Sequence, residues 1–260
     1  MKKFVKDMHK YSSYVFYSAK CSLKSEVANS HLNWVWWILD PICFMLIYIF
    51  IALVVFKKSE PYFPIFVFMG LSIWNFFSKC ISSSVLLVKQ NKSILTKVYM
   101  PRYMLILEKM LVNFFKMIVS FMLILILLLI YRVPIDWHLI YFIPILSIFL
   151  LVTFGFCSIL LHYGVFVEDL SNVTTIMLRL TMYLSGIFYS IRTSIPIPYN
   201  KLLLYCNPIA FCIDSMRETI LYQRNINFVY IIIWLIIGLI ISVIGIVIIY
   251  KYENTYGKVT

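Results

Sequence analysis

Long uncharged apolar runs dominate this sequence and leave it few folds to choose from. They fall at residues 34–56, 65–88, 111–131, 139–163, 174–191 and 228–250, separated by short polar breaks. A helix rises about 1.5 Å per residue, so roughly 20 residues of this kind cross a hydrocarbon core about 30 Å thick. Hydrophobic residues make up 62% of the 260 and charged residues 13%, too little polar surface to cover a soluble core of that size. The runs are continuous rather than alternating, which excludes the two-faced strands of a membrane barrel. The pattern predicts an all-α membrane protein, with six transmembrane helices in a single domain over 1–260. Residues 1–30 are polar and lysine-rich and lack the short apolar core of a cleaved signal peptide, so the amino terminus is expected in the mature protein.

The net charge of +12 follows orientation better than it follows nucleic acid. With both termini inside, fifteen of the 23 Lys and Arg fall in inner segments and seven in outer ones, while Lys79 lies within a span. That excess obeys the positive-inside rule. It predicts that 89–109 is a cytoplasmic connection and that 192–227 lies outside.

Before the first span, Phe4, Met8, Tyr11 and Val15 recur at helical spacing while Lys3, Lys6, Lys10 and Ser13 take another face. This reads as an amphipathic helix lying flat among lipid headgroups, or else as a solvated basic tail. Asp40 and Pro41 interrupt the first span; a helix begun at Pro41 would be too short, so a start near Trp34 and a kink at Pro41 are expected. Trp34, Trp36 and Trp37 would then sit at the inner interface. In the second span Asn75, Ser78, Lys79 and Ser82 share one face, which serves either helix packing or a hydrated substrate path. Segment 192–227 holds two apolar pieces too short to span, parted by Asn207 and Pro208, and reads as a re-entrant or interfacial hairpin. Within it Asp214 and Arg217 are spaced to pair along a helix.

Catalytic and metal chemistry find little here. The six cysteines show neither CxxC nor zinc-like spacing with the four histidines, and no metal site is expected; Cys206 and Cys212 alone fall together outside, where a disulfide could form. No His, Asp or Cys cluster reads as a base with its orienter. No G-x-x-x-x-G-K-[ST] loop is present, so any ATP and Mg must be bound by another subunit. An ion-coupled carrier would need inverted repeats and buried acids, for which Asp40 is a poor start.

Four stretches, in order, cover nearly the whole chain: Leu23-Lys24-Ser25 with Leu32-Asn33-Trp34-Val35-Trp36-Trp37-Ile38-Leu39-Asp40-Pro41; Asn91-Lys92-Ser93-Ile94-Leu95-Thr96-Lys97-Val98-Tyr99-Met100-Pro101-Arg102; Glu168-Asp169-Leu170 through Leu184-Ser185-Gly186-Ile187-Phe188-Tyr189; and Asn207-Pro208-Ile209, with Asp214 and Arg217 beyond it, joined to the tail Lys251-Tyr252-Glu253-Asn254-Thr255-Tyr256-Gly257-Lys258-Val259. Together they resemble the permease subunits of type-2 ABC exporters, above all those that export lipid-linked polysaccharides such as O-antigen, capsule and teichoic acid. The chain departs from that pattern at Glu26, Asn29 and Asn33, where a basic residue and two glycines are usual, and at Glu168, usually arginine.

The resemblance implies a bacterial cytoplasmic-membrane protein that pairs with a second copy of itself and with two ABC ATPase subunits. It places ATPase coupling at Asn91, Lys92, Leu95, Lys97, Pro101 and Arg102, beside the acidic turn of Glu168 and Asp169, and a hairpin at Asn207, Pro208, Asp214 and Arg217. Sugar rings present CH faces to aromatic side chains, so Tyr48, Trp74, Phe77, Tyr183, Phe188 and Tyr189, with Asn75 and Lys79, are the expected path for a lipid-linked glycan; each aromatic is equally readable as packing. A related permease exporting a drug, peptide or natural product would share this topology.

Overall fold

A computed structural model describes residues 2–28, 35–51, 54, 60–97, 99–134 and 136–259, and among these there are helices and turns but no strand. Four helices have the length and composition to cross a membrane: α3 (Phe63–Gln90), α5 (Tyr103–Ile130), α6 (Phe142–Phe166), which a 3₁₀ turn at Trp137–Tyr141 extends at its start, and α11 (Phe228–Val259). α1 (Lys2–Ala28), α2 (Trp36–Phe50), α4 (Lys92–Leu95), α7 (Leu170–Leu184), α8 (Ile191–Ser194), α9 (Tyr199–Cys206) and α10 (Pro208–Ile220) complete the described set.

One of the six expected spans, the fifth, is shorter than foreseen. α7 stops at Leu184 because the chain turns at Ser185 and Gly186, the latter at φ 63°, a left-handed conformation that ends a helix readily only at glycine. Its 15 residues rise about 22 Å, less than the hydrocarbon thickness. α2 is also 15 residues long and carries Pro41 inside it; the expected start at Trp34 and end at Phe56 lie outside the described residues.

α3 is the hub. Its apolar side chains run right round the helix, so it sits with most of its length buried against α5 and α6. α5 runs antiparallel to it, with Phe76 beside Phe114 and Tyr62 beside Tyr131. α6 runs parallel, and Gly164 lets it approach so closely that a methyl there would overlap the Val85 carbonyl oxygen. α11 runs parallel to α6 along a seam of small residues, where Ser242 Oγ donates to the Leu151 carbonyl at 2.8 Å and Gly245 lies on Ser158.

This arrangement gives the molecule two ends. At the terminal end the start of α1, the 91–102 segment, the turn after α6 and the last turns of α11 come together. Tyr250 Oη donates to Asp7 at 2.7 Å and shares a 2.8 Å hydrogen bond with Tyr103, while Tyr256 meets His162 Nδ1 at 2.8 Å. At the hairpin end lie 131–141 and 185–227, joined where His138 Nε2 meets Asn225 at 3.0 Å and Gln223 donates to the Pro134 carbonyl.

Three expectations are corrected at the terminal end. The connection expected over 89–109 is only 91–102, because Tyr103 to Ile106 are buried residues of α5 and Glu108 is a buried helical acceptor for Ser22 at 2.9 Å. Lys116, one of the fifteen cations assigned to the inner side, lies inside α5 and pairs with Glu26. The apolar face of α1 packs on protein: Phe4 lies 5.1 Å from Tyr103, Val15 is buried, and Tyr11 and Met8 pack on the core, while Tyr14, Phe16 and Tyr17 are exposed rings. Contacts along α1 climb α5 in step, from Asp7 at Tyr103 to Glu26 at Lys116. Trp37 in turn packs on Phe115, about 18 Å along α5 from its start and well away from its end.

Candidate functional site

The expected path residues divide among three places. Trp74 and Phe77 are buried core residues, their rings 5.9 Å apart. Tyr48, Tyr183, Phe188 and Tyr189 gather where α2 meets the end of α7: the Tyr48 and Phe188 rings stack with centroids 3.7 Å apart, and Tyr189 Oη donates to the Tyr183 carbonyl at 2.7 Å. The turn at Gly186 throws Phe188 and Tyr189 back toward α2, which a continuous fifth span would not have done.

The hairpin break lies at its foreseen position. Asn207 Oδ1 accepts from the backbone of Ile209 and Ala210 and so caps α10, with Pro208 in the first turn, while Asn207 Nδ2 donates to Ser185 Oγ at 3.1 Å. The expected pairing of Asp214 with Arg217 is not made. Arg192 takes Asp214 instead, its Nη2 2.6 Å and its Nε 2.9 Å from Oδ2. Arg217, only 4% exposed, lies against the Phe66 ring and donates to the carbonyls of Gly186 at 2.7 Å, Ile187 at 2.7 Å and Phe66 at 2.9 Å. Two of these carbonyls, of Gly186 and Ile187, follow the end of α7, where carbonyls past a helix end need outside donors. Cys206 is an exposed free thiol and Cys212 a buried one, so no disulfide joins them.

Asn75 and Lys79 line a crevice of about 300 Å³ between α2, α3 and α5. Across it stand Asp40, Trp36 and Trp37 of α2, Asn113 and Lys116 of α5, and Glu26 of α1. Sequence reasoning noted Asp40 as an interruption and a poor start for an ion-coupled carrier, and missed Asn113, Lys116 and Ser120, though their three- and four-residue spacing repeats on α5 the polar-face signal read on α3.

At the terminal end the expected coupling residues also divide. Asn91 ends α3, its Nδ2 donating to the Leu87 carbonyl at 2.9 Å, and α4 follows with Lys92, Ser93 and Ile94 exposed, Leu95 half-buried and Lys97 exposed. Pro101 is buried, and Arg102 turns away from solvent to pair with Glu253 of α11 at 3.1 Å. Tyr99 Oη donates to the same carboxylate at 3.1 Å, and Tyr11 Oη to the Tyr99 carbonyl at 3.2 Å. Partial burial and then the Glu253 charge push the Tyr99 phenol up, and burial does the same for Tyr256, so both remain neutral hydroxyls at physiological pH. Glu168 and Asp169 are exposed in the turn between α6 and α7 at this end. Among the described residues no three His, Cys, Asp or Glu side chains gather as a metal site would require.

The profile of the ABC-2 type transporter family matches residues 15–221, from within α1 to the end of the hairpin. The chain belongs to that family. Among curated proteins, this ABC-2 transporter is 26% identical over 226 residues to an "O-antigen export system permease protein RfbA" of Myxococcus xanthus, covering 87% of this chain and 86% of that one. Two proteins of the same name from Klebsiella pneumoniae are 26% and 27% identical over 238 and 241 residues, about nine-tenths of each chain. In this ABC-2 transporter the family match takes in α2, α3, the 91–102 segment, α7 with the turns on either side of it, and the hairpin, which together carry every expected site residue.

Proposed function

We propose that this chain is the membrane-spanning permease subunit of an ATP-driven exporter that moves a lipid-linked polysaccharide, such as O-antigen, capsular glycan or teichoic acid, across the bacterial cytoplasmic membrane. One observation carries the reading: the chain aligns nearly end to end with three O-antigen export permeases and matches the ABC-2 family across 15–221. Residues 1–260 act as one permease domain. The terminal end, rich in exposed lysines, faces the cytoplasm. α2 and α7 complete six crossings, and α9 and α10 enter from the outer side as a re-entrant hairpin. Four long spans and two short ones enclose too little space for a polymer, so a second copy faces the first. Two ABC ATPase subunits bind ATP and Mg beneath them and dock on α4 and the turn after it, where exposed Ile94, Lys92 and Lys97 offer an apolar contact ringed by charge.

Co-expression with candidate ABC ATPases, followed by hydrolysis assays in proteoliposomes, tests this. Copurification and stimulation of ATPase activity by lipid-linked glycans are expected. Stimulation by drugs or peptides, with none by glycans, would replace the substrate class.

A further inference from the structure

Most polar side chains around the crevice between α2, α3 and α5 are already spent. Ser72 donates to the Phe68 carbonyl, Ser120 to that of Lys116 and Asn113 to that of Lys109, while Lys116 pairs with Glu26. Asp40, Asn75 and Lys79 are different: among the described residues none of these side chains has a hydrogen-bond or ion-pair partner, and all three line the same space. Asn75 and Lys79 are one helical turn apart and present an amide and an ammonium side by side; Asp40 presents a carboxylate from the opposite wall. Lys79 lies midway along α3 and Asp40 in the second turn of α2, and both side chains are exposed; ionisable groups within membrane helices persist where water or a ligand satisfies them.

The character of the crevice narrows the ligand. Lys79 and Lys116 balance Asp40 and Glu26, so there is no excess charge to draw a phosphate or an amine. Trp36 and Trp37 supply flat apolar walls. Its volume of about 300 Å³ lies at the low end of small-molecule pockets, roughly 300–1,000 Å³, which admits one ring and not a chain. Donors, acceptors, no net charge and indole walls suit a neutral polyol, whose hydroxyls both donate and accept and whose CH face packs on aromatics. We infer that this crevice binds a single neutral hexose-type unit, with Asp40 accepting hydroxyl protons, Asn75 and Lys79 donating to sugar oxygens, and the tryptophans packing on the ring. The exporter reading bears only on where the sugar comes from, since a unit of the transported glycan and the headgroup of a bilayer glycolipid present the same chemistry.

The test uses the full chain in nanodiscs and diazirine derivatives of methyl glucoside and methyl mannoside. Saturable crosslinking to the peptides holding Asp40 and Lys79 is expected. Asp40→Leu and Asn75→Leu, which keep the helices and remove only polarity, should each reduce it about fivefold, the net worth of about one hydrogen bond, with unchanged thermal melting. Competition by a lipid-linked oligosaccharide identifies the transported glycan as the source, and competition by a glycosyl diacylglycerol identifies a membrane lipid. No saturable crosslinking, crosslinking equal in both variants, or preferential labelling by a diazirine phosphatidylethanolamine overturns the inference. The assay needs neither ATPase nor export, so its failure leaves the exporter reading standing and failed export leaves the binding result standing.

Discussion

The two ends of the molecule are fastened by different chemistry. At the hairpin end, beside the ion pair of Arg192 with Asp214, one buried charged side chain, Arg217, is spent on backbone carbonyls of Phe66, Gly186 and Ile187. At the terminal end side chains hold side chains: Arg102 to Glu253, Tyr99 to Glu253, Tyr250 and Tyr103 to Asp7. A carbonyl clamp admits only a donor of the right reach, whereas a pair of side chains can in principle be exchanged. The Arg217 clamp is thus tied to one residue type, and the terminal end to a charge pattern that joins α1, the 91–102 segment and α11 into one block.

The largest expected effect follows from that difference. Replacing Arg217 by Ala removes every side-chain donor at the clamp and leaves the Gly186 and Ile187 carbonyls, which lie outside any helix, without one, a loss of about 2–4 kcal/mol that should sharply lower folded protein and melting temperature. Lys, a shorter point donor without the planar fork, should restore only part. Swapping Arg217 with Asp214 should not rescue, since the clamp's acceptors are carbonyls. Recovery in the swap would show that a charge pair, not the carbonyl clamp, holds this end.

At the terminal end the opposite result is expected. Arg102→Glu or Glu253→Arg alone should cost about 1–3 kcal/mol, because the two side chains are 11% and 9% exposed and each single change opposes like charges. The double exchange, Arg102→Glu with Glu253→Arg, should recover much of the melting temperature. Failure of that rescue would mean that Tyr99 and the packing around Met100, not the ion pair, set the geometry.

A smaller effect separates the aromatic cluster from both clamps. Phe188→Ala removes a stack on Tyr48 worth about 1 kcal/mol beyond area burial. Paired with Tyr189→Ala it should lower glycan export more than it lowers folded protein or basal ATPase activity. Export that falls only in proportion to protein recovered would make these rings packing residues.

What could be read from the sequence was set by range. The long helices α3, α6 and α11 were legible because continuous apolar runs need no knowledge of neighbours, and the hairpin break because Asn207 and Pro208 carry their own cap. Helix ends that depend on packing were not. α5 starts eight residues before its expected Leu111 because α1 covers Glu108 and Tyr103, and nothing local announces that cover. Arg217 was read as a partner for Asp214 on spacing alone; the competing carbonyls belong to residues far away in the chain. The crevice shared this difficulty, since its walls come from four helices.

The smallest effect on stability should carry a large effect on assembly, and it isolates the coupling surface from the clamp. Lys92 and Lys97 are both exposed and make no ion pair among the described residues, unlike Arg102 four residues beyond Val98. Changing both lysines to Glu should therefore leave melting within about 0.5 kcal/mol of the parent, as for most surface sites. If α4 is where an ATPase docks, the same double variant should weaken copurification and export. The parent's copurification should also fall as salt rises from low to about 1 M, where the Debye length shrinks to about 3 Å. Exposed Ile94 supplies the control: Ile94→Ala should weaken docking at all salt concentrations, since apolar burial is not screened. Unchanged copurification and export in the double lysine variant, with the protein folded, would move the docking surface off α4 and leave the Arg102–Glu253 block as the route by which the ATPase reaches the helices.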